Sequence, residues 1–133
     1  LTGRTLIWDR TFAEVDKNPV FGYGLEMWGL EYRIREGMLY VGHAHNQFMQ
    51  TLGEGGLMGL FLLLTYLSVL FTYSVKLFKV SRGLVLALFL LIIAGCITEA
   101  PFKISDLSWT TYSHAVLIII TTFYVKANSN KEV

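Results

Sequence analysis

The sequence predicts an all-α fold, a polytopic membrane protein fragment with three transmembrane helices preceded by an exterior segment of helices and loops. Two observations predict it. The 133 residues are 53% hydrophobic and only 16% charged, well below the roughly one-quarter charged that soluble domains carry. The charges are also uneven: 12 of the 21 lie in residues 1–56, and residues 57–75 hold none. Such a composition argues against an ordinary water-soluble globule. Because 11 Lys and Arg face 10 Asp and Glu, no net field draws in a nucleic acid. The lone Cys96 rules out a disulfide framework and a multi-thiolate metal site. Position 1 is Leu, with no signal-peptide pattern behind it, which leads to the expectation of a C-terminal piece of a longer chain.

Each span has its own argument. Residues 57–75 form a 19-residue charge-free run, about 28 Å long as a helix and close to the hydrocarbon thickness of a bilayer. Its Leu, Phe and Val side chains favour insertion by roughly 3 to 6 kcal/mol. The second run, 83–98, is short, so the expected span extends to 102 and leaves Glu99 at the membrane boundary or facing a polar cavity. The third is 107–125, and 126–133 is a polar tail. Lys76, Lys79 and Arg82 crowd the first connection without an acid, which makes it cytoplasmic by the positive-inside rule. Residues 1–56 then lie outside the cytoplasm and the tail inside. A buried helical core in a soluble protein is the bland alternative, and runs this long and charge-free disfavour it.

Within residues 1–56, Thr2 is placed to cap a surface helix whose apolar residues Ile7, Trp8, Phe12 and Val15 share a face and which ends before Asn18-Pro19. Residues 21–24, Phe-Gly-Tyr-Gly, read as a turn. Residues 25–42 show no decisive period. Phe48, Met49 and Leu52 return to helical spacing, and Gly53, Gly55 and Gly56 interrupt it, so that a short helix turns there into the first span. Trp8, Trp28, Trp109, Tyr112 and Tyr124 fit an interfacial aromatic belt.

Two residues of the exterior segment have the chemistry of a site. Arg4 lies near a helix start, where a guanidinium and free backbone N–H groups suit a phosphate; snorkelling to a lipid headgroup is its ordinary alternative. His45, in His43-Ala44-His45-Asn46, is of the residue type that accepts a hydroxyl proton at neutral pH; a structural loop histidine is the alternative there. The His-x-His pair also raises a zinc reading, but two imidazoles are too few and no Cys, Asp or Glu stands nearby in sequence at ligand spacing, so no metal or other cofactor is expected. Glu99 suits either orientation of a substrate or the membrane edge. His114, in mid-span, suits a proton relay or, more simply, a hydrogen bond to a neighbouring helix.

Leu1-Thr2-Gly3-Arg4 with Trp8, then Asn18-Pro19-Val20-Phe21-Gly22-Tyr23-Gly24, then HAHNQFMQTLGEGGLMG entering a span together resemble the O-antigen ligase and polymerase family, which includes exopolysaccharide polymerases. The family signature is a His followed by Asn, Ser or Gln, nine residues, Gly, two residues, and Gly, Thr or Tyr. His45-Asn46, Gly56 and Gly59 meet it. Thr98-Glu99 also resembles the family.

The resemblance implies a glycosyltransferase of the bacterial inner membrane, with 1–56 periplasmic, acting in lipopolysaccharide or other surface polysaccharide synthesis. It would move a glycan from undecaprenyl pyrophosphate to an acceptor sugar hydroxyl, on a glycan or lipid A core, by inversion and without metal. Its partners would be that donor, that acceptor and membrane lipids, with no nucleic acid. By resemblance Arg4 binds the pyrophosphate and His45 activates the acceptor; both are the expected catalytic residues, and Arg4, His43, Asn46 and Glu99 the expected substrate-binding ones. The family also places a further arginine upstream, so these 133 residues alone are expected to be inactive. A transporter or channel module, motivated by Glu99 and His114, is the competing expectation.

Overall fold

In the computed structural model, residues 2–102 and 109–129 are described. The described residues contain helices and no strands: α1 (Thr2–Lys17), α2 (Leu30–Arg35), α3 (Gln47–Lys76), α4 (Leu84–Thr98) and α5 (Trp109–Ser129). The all-helical class is as expected. The start of the third expected span and most of the connection before it lie outside the described residues, as does any cap made by the Thr2 side chain.

The chain divides into two compact units, one of residues 1–64 with 96–100 and one of 65–95 with 101–133. The first unit is built on Ile7, Met27, Trp28, Tyr32, Met38, Val41 and Ala44, with Trp8, Tyr23 and Met49 packed against them. Residues 25–42, which lack a legible period, thus supply much of this core, and their one helix is only six residues long. Trp28 is 3% exposed and meets the Tyr32 ring edge-on at 5.6 Å. The belt reading of Trp28 is therefore corrected: packing against other aromatic and sulfur side chains removes its ring from water without a bilayer, whereas Trp8 is only partly buried against the same core. Arg35 sits over the rings of Tyr23 and Tyr32, at 5.4 and 5.0 Å, and pairs with Glu36, whose other carboxylate oxygen pairs with Arg10.

The glycine cluster acts through one residue. Only Gly56 leaves helical geometry inside α3, at φ 59° and ψ −156°, a region a side chain does not tolerate. The backbone around this break would lose helical partners, and residues 19–24 supply them. Tyr23 and Gly24 N–H groups donate to the carbonyls of Gly53 and Glu54, while Leu57 and Met58 N–H groups donate to those of Pro19 and Val20, all at 2.8 to 3.1 Å. The contact is backbone on backbone. A Cβ on Gly56 would lie 2.5 Å from the Val20 carbonyl oxygen, and one on Gly22 2.5 Å from that of Gly53. This interlock explains why glycine is needed at both position 22 and position 56, far apart in the sequence.

In the second unit, Leu67, Leu70, Val85, Phe89, Ile92 and Leu117 are buried. His114 Nε2 and Tyr66 Oη lie 2.6 Å apart, with Phe102 edge-on to both rings. This is the hydrogen bond to a neighbouring helix expected of a mid-span histidine.

Of the three expected spans, α3 alone is long and apolar enough to cross a membrane among the described residues. Only 22% of its most apolar stretch is buried, and Leu57, Phe61, Leu62 and Phe71 are exposed, unlike the core helix of a soluble protein. The helix α4 is apolar but has 15 residues, about 22 Å at the α-helical rise. It stops at Thr98 instead of reaching 102, because Pro101 disfavours helical geometry at Ala100 and has no N–H to offer.

Candidate active site

The site is assembled from the start of α1, the loop before α3 and the end of α4, all within the first unit. The loop is held at Ala44, which is fully buried. Its N–H donates to Gln50 Oε1 at 2.7 Å, and its carbonyl accepts from the Trp8 indole at 3.0 Å. His45 follows with φ 50°, a left-handed conformation uncommon for a residue with a Cβ. Surface Arg82 has the same φ, so the conformation does not by itself mark function. Here, with Ala44 pinned on both sides, it sets the direction of the His45 side chain.

Asn46 caps α3. Its Oδ1 accepts from the Met49 N–H at 3.0 Å, the bond of an N-cap to the third helical residue. Its Nδ2 donates to the Ile97 carbonyl at 3.1 Å. Arg4 Nη2 donates to the next carbonyl, Thr98, at 3.4 Å. The final carbonyls of a helix have no intrahelical donors, and at α4 an amide and a guanidinium take that place. The same two bonds fix the chain just before Glu99.

Glu99 consequently faces both histidines. Its Oε2 lies 3.7 Å from His43 Nε2 and 3.7 Å from His45 Nδ1, and the two imidazole rings are 4.0 Å apart. The His45 N–H donates to His43 Nδ1 at 3.1 Å, which leaves the neutral His43 ring its proton on Nε2, toward the carboxylate. Arg4 and His45 line one cleft of about 260 Å³ together with Gly3, Ile7, Tyr40 and Val41. The structure thus brings all five expected site residues together. It adds Tyr40, largely exposed at this cleft, which the sequence did not single out. It also places a carboxylate beside the His-x-His pair, which distance in sequence had concealed.

Residues 1–64 match the model of a family described as O-antigen ligase. The match covers 64 of the 133 residues and makes this stretch similar to O-antigen ligases. The matched stretch contains Arg4, His43, His45 and Asn46 and ends eight residues beyond the break at Gly56. Proteins of the O-antigen ligase family are membrane proteins of a glycosyltransferase-like kind, with lipid-linked glycans and acceptors as their general partners. No curated protein and no solved structure matches the chain.

Proposed function

We propose that this chain carries the catalytic segment of an O-antigen ligase or polysaccharide polymerase, which transfers a glycan from undecaprenyl pyrophosphate to a sugar hydroxyl at the outer face of the bacterial inner membrane. The observation that carries the reading is that Arg4 and His45, 41 positions apart, line one cleft. One supplies a fixed positive fork of donors and the other a proton acceptor.

The chemistry follows from those two groups. As the bond between the sugar C1 and the pyrophosphate oxygen breaks, negative charge builds on the leaving group, and the Arg4 guanidinium stabilises it. The acceptor oxygen forms the new bond to C1 while its proton passes to His45. Attack opposite the leaving group inverts the anomeric centre. Glu99, facing Nδ1, favours the proton on that nitrogen, which leaves Nε2 as the acceptor, and it stabilises the imidazolium that forms. Asn46 has both ends of its amide engaged at helix termini and so positions His45, while His43 shares Glu99 and supports the same carboxylate. In this reading 57–75, the α4 stretch Leu84–Thr98 and 107–125 are the membrane portion, 1–56 is periplasmic and 126–133 cytoplasmic.

The transporter alternative rested on Glu99 and His114. Each has a local account instead, Glu99 with the histidines and His114 with Tyr66. The test is transfer by the intact protein in membranes from a donor of known anomeric configuration. An inverted product supports direct displacement; a retained one contradicts it. Surface polysaccharide from a deletion strain separates the two types: single repeats left on the acceptor mean polymerase, and a bare acceptor with lipid-linked chains accumulating means ligase.

A further inference from the structure

His43, His45 and Glu99 also meet the requirements of a metal site that the transfer chemistry does not use. We propose that they bind one Zn²⁺ ion, and that this ion reversibly silences the site. Each residue offers one ligand atom, and the three atoms lie within 4.8 Å of one another. Two imidazole nitrogens and one carboxylate oxygen form a donor set suited to zinc, whereas magnesium and calcium take mostly oxygen ligands. Zinc bonds of about 2.0 to 2.2 Å place tetrahedral ligand atoms roughly 3.4 Å apart, so both 3.7 Å pairs through Glu99 already stand near the required separation. Binding requires the His43 ring proton to pass from Nε2 to Nδ1 by exchange with solvent, so that the neutral ring presents Nε2 to the ion and the hydrogen bond from the His45 N–H is given up.

One feature makes the ion a reversible inhibitor and not a permanent cofactor: the Arg4 guanidinium lines the same cleft as His45 and opposes a dication. Silencing follows from the atom engaged. Zinc on His45 Nδ1 confines the remaining ring proton to Nε2, which then donates and no longer accepts. This last step rests on the role proposed for His45; the binding itself does not.

The experiment titrates the intact protein, purified without a polyhistidine tag, with Zn²⁺ against a chromogenic chelator, and follows glycan transfer in the same samples. The wild type is expected to bind one equivalent and to lose transfer by about 100-fold, the scale of a general base removed, with recovery on chelation and no effect of Mg²⁺. H43Q and E99Q should each weaken zinc binding at least about tenfold. Thermal unfolding without metal checks that they are folded, and a zinc-dependent rise in the wild-type melting temperature reports binding without any variant. Zinc binding below one equivalent, variants of undiminished affinity, or full transfer by the zinc-loaded wild type would overturn the proposal. Absent transfer in metal-free buffer would count against the function proposed for His45 and leave the binding result standing.

Discussion

Glu99 Oε2 stands 3.7 Å from His45 Nδ1 although 54 positions separate the two residues in the chain. The pairing depends on Asn46 and Arg4, which hold the last carbonyls of α4. Replacing Asn46 tests this directly. Asn46→Ala removes the N-cap and the bond to Ile97, and should cost about 1 kcal/mol or more of stability together with a fall in transfer. Asn46→Asp keeps an acceptor for the Met49 N–H but offers no donor to Ile97. It should restore most of the thermal stability and little of the activity. Equal recovery of both would show that Asn46 acts only as a cap.

Arg4 should be irreplaceable in chemistry but not in folding. Removing one preorganised donor to developing charge costs about 100- to 1,000-fold in rate, and Arg4→Ala is expected in that range. Arg4→Lys should stay well below wild type, because a point charge does not reproduce the planar fork. Steady-state transfer in membranes with matched protein levels measures it; near wild-type activity in Arg4→Ala would remove Arg4 from the mechanism.

The glycines of the α3 break should differ sharply. Gly56→Ala places a Cβ against the Val20 carbonyl in a backbone region closed to L-residues, and should destabilise by about 1 to 3 kcal/mol or more. Gly55 has open space around its Cβ position and lies within the helix, so Gly55→Ala should be neutral or stabilising by up to about 1 kcal/mol. Melting temperatures in detergent compare the two. Similar values would deny the interlock between residues 19–24 and the break.

Acid should loosen the first unit through Glu36. The hydrogen bond from Arg35 holds its carboxyl below the ordinary value of 4.5, with Arg10 adding to the effect. A carboxyl lowered on folding stabilises above its unfolded pKa, and that contribution is lost as pH falls through 4.5 and below. Glu36→Gln should flatten this part of the stability profile while leaving stability at neutral pH little changed, since the pairs are surface ones. A wild-type slope in that variant would assign the acid sensitivity elsewhere.

How much of this was legible in the sequence varies with chain distance. The extent of α1, the turn at Gly22 and Gly24 and the break before the first span all show in local spacing, because periodicity, proline and glycine act within a few residues. The short α2 and the burial of Trp28 and Tyr32 did not show. Tertiary packing decides both, and Leu30 and Ile34 on the same helix are exposed, which erases the amphipathic signal. His45 and Arg4 were recognisable by residue type, whereas Glu99 beside them depends on the return of α4. The zinc reading failed in sequence for that reason alone, since the third ligand lies beyond any local window.

The most direct test of the account is glycan transfer from a lipid-linked donor by the intact His45→Ala protein, normalised to its amount in the membrane. A loss of about 100-fold or more, with membrane insertion unchanged, is the predicted result. Glycan chains formed at the wild-type rate would contradict it.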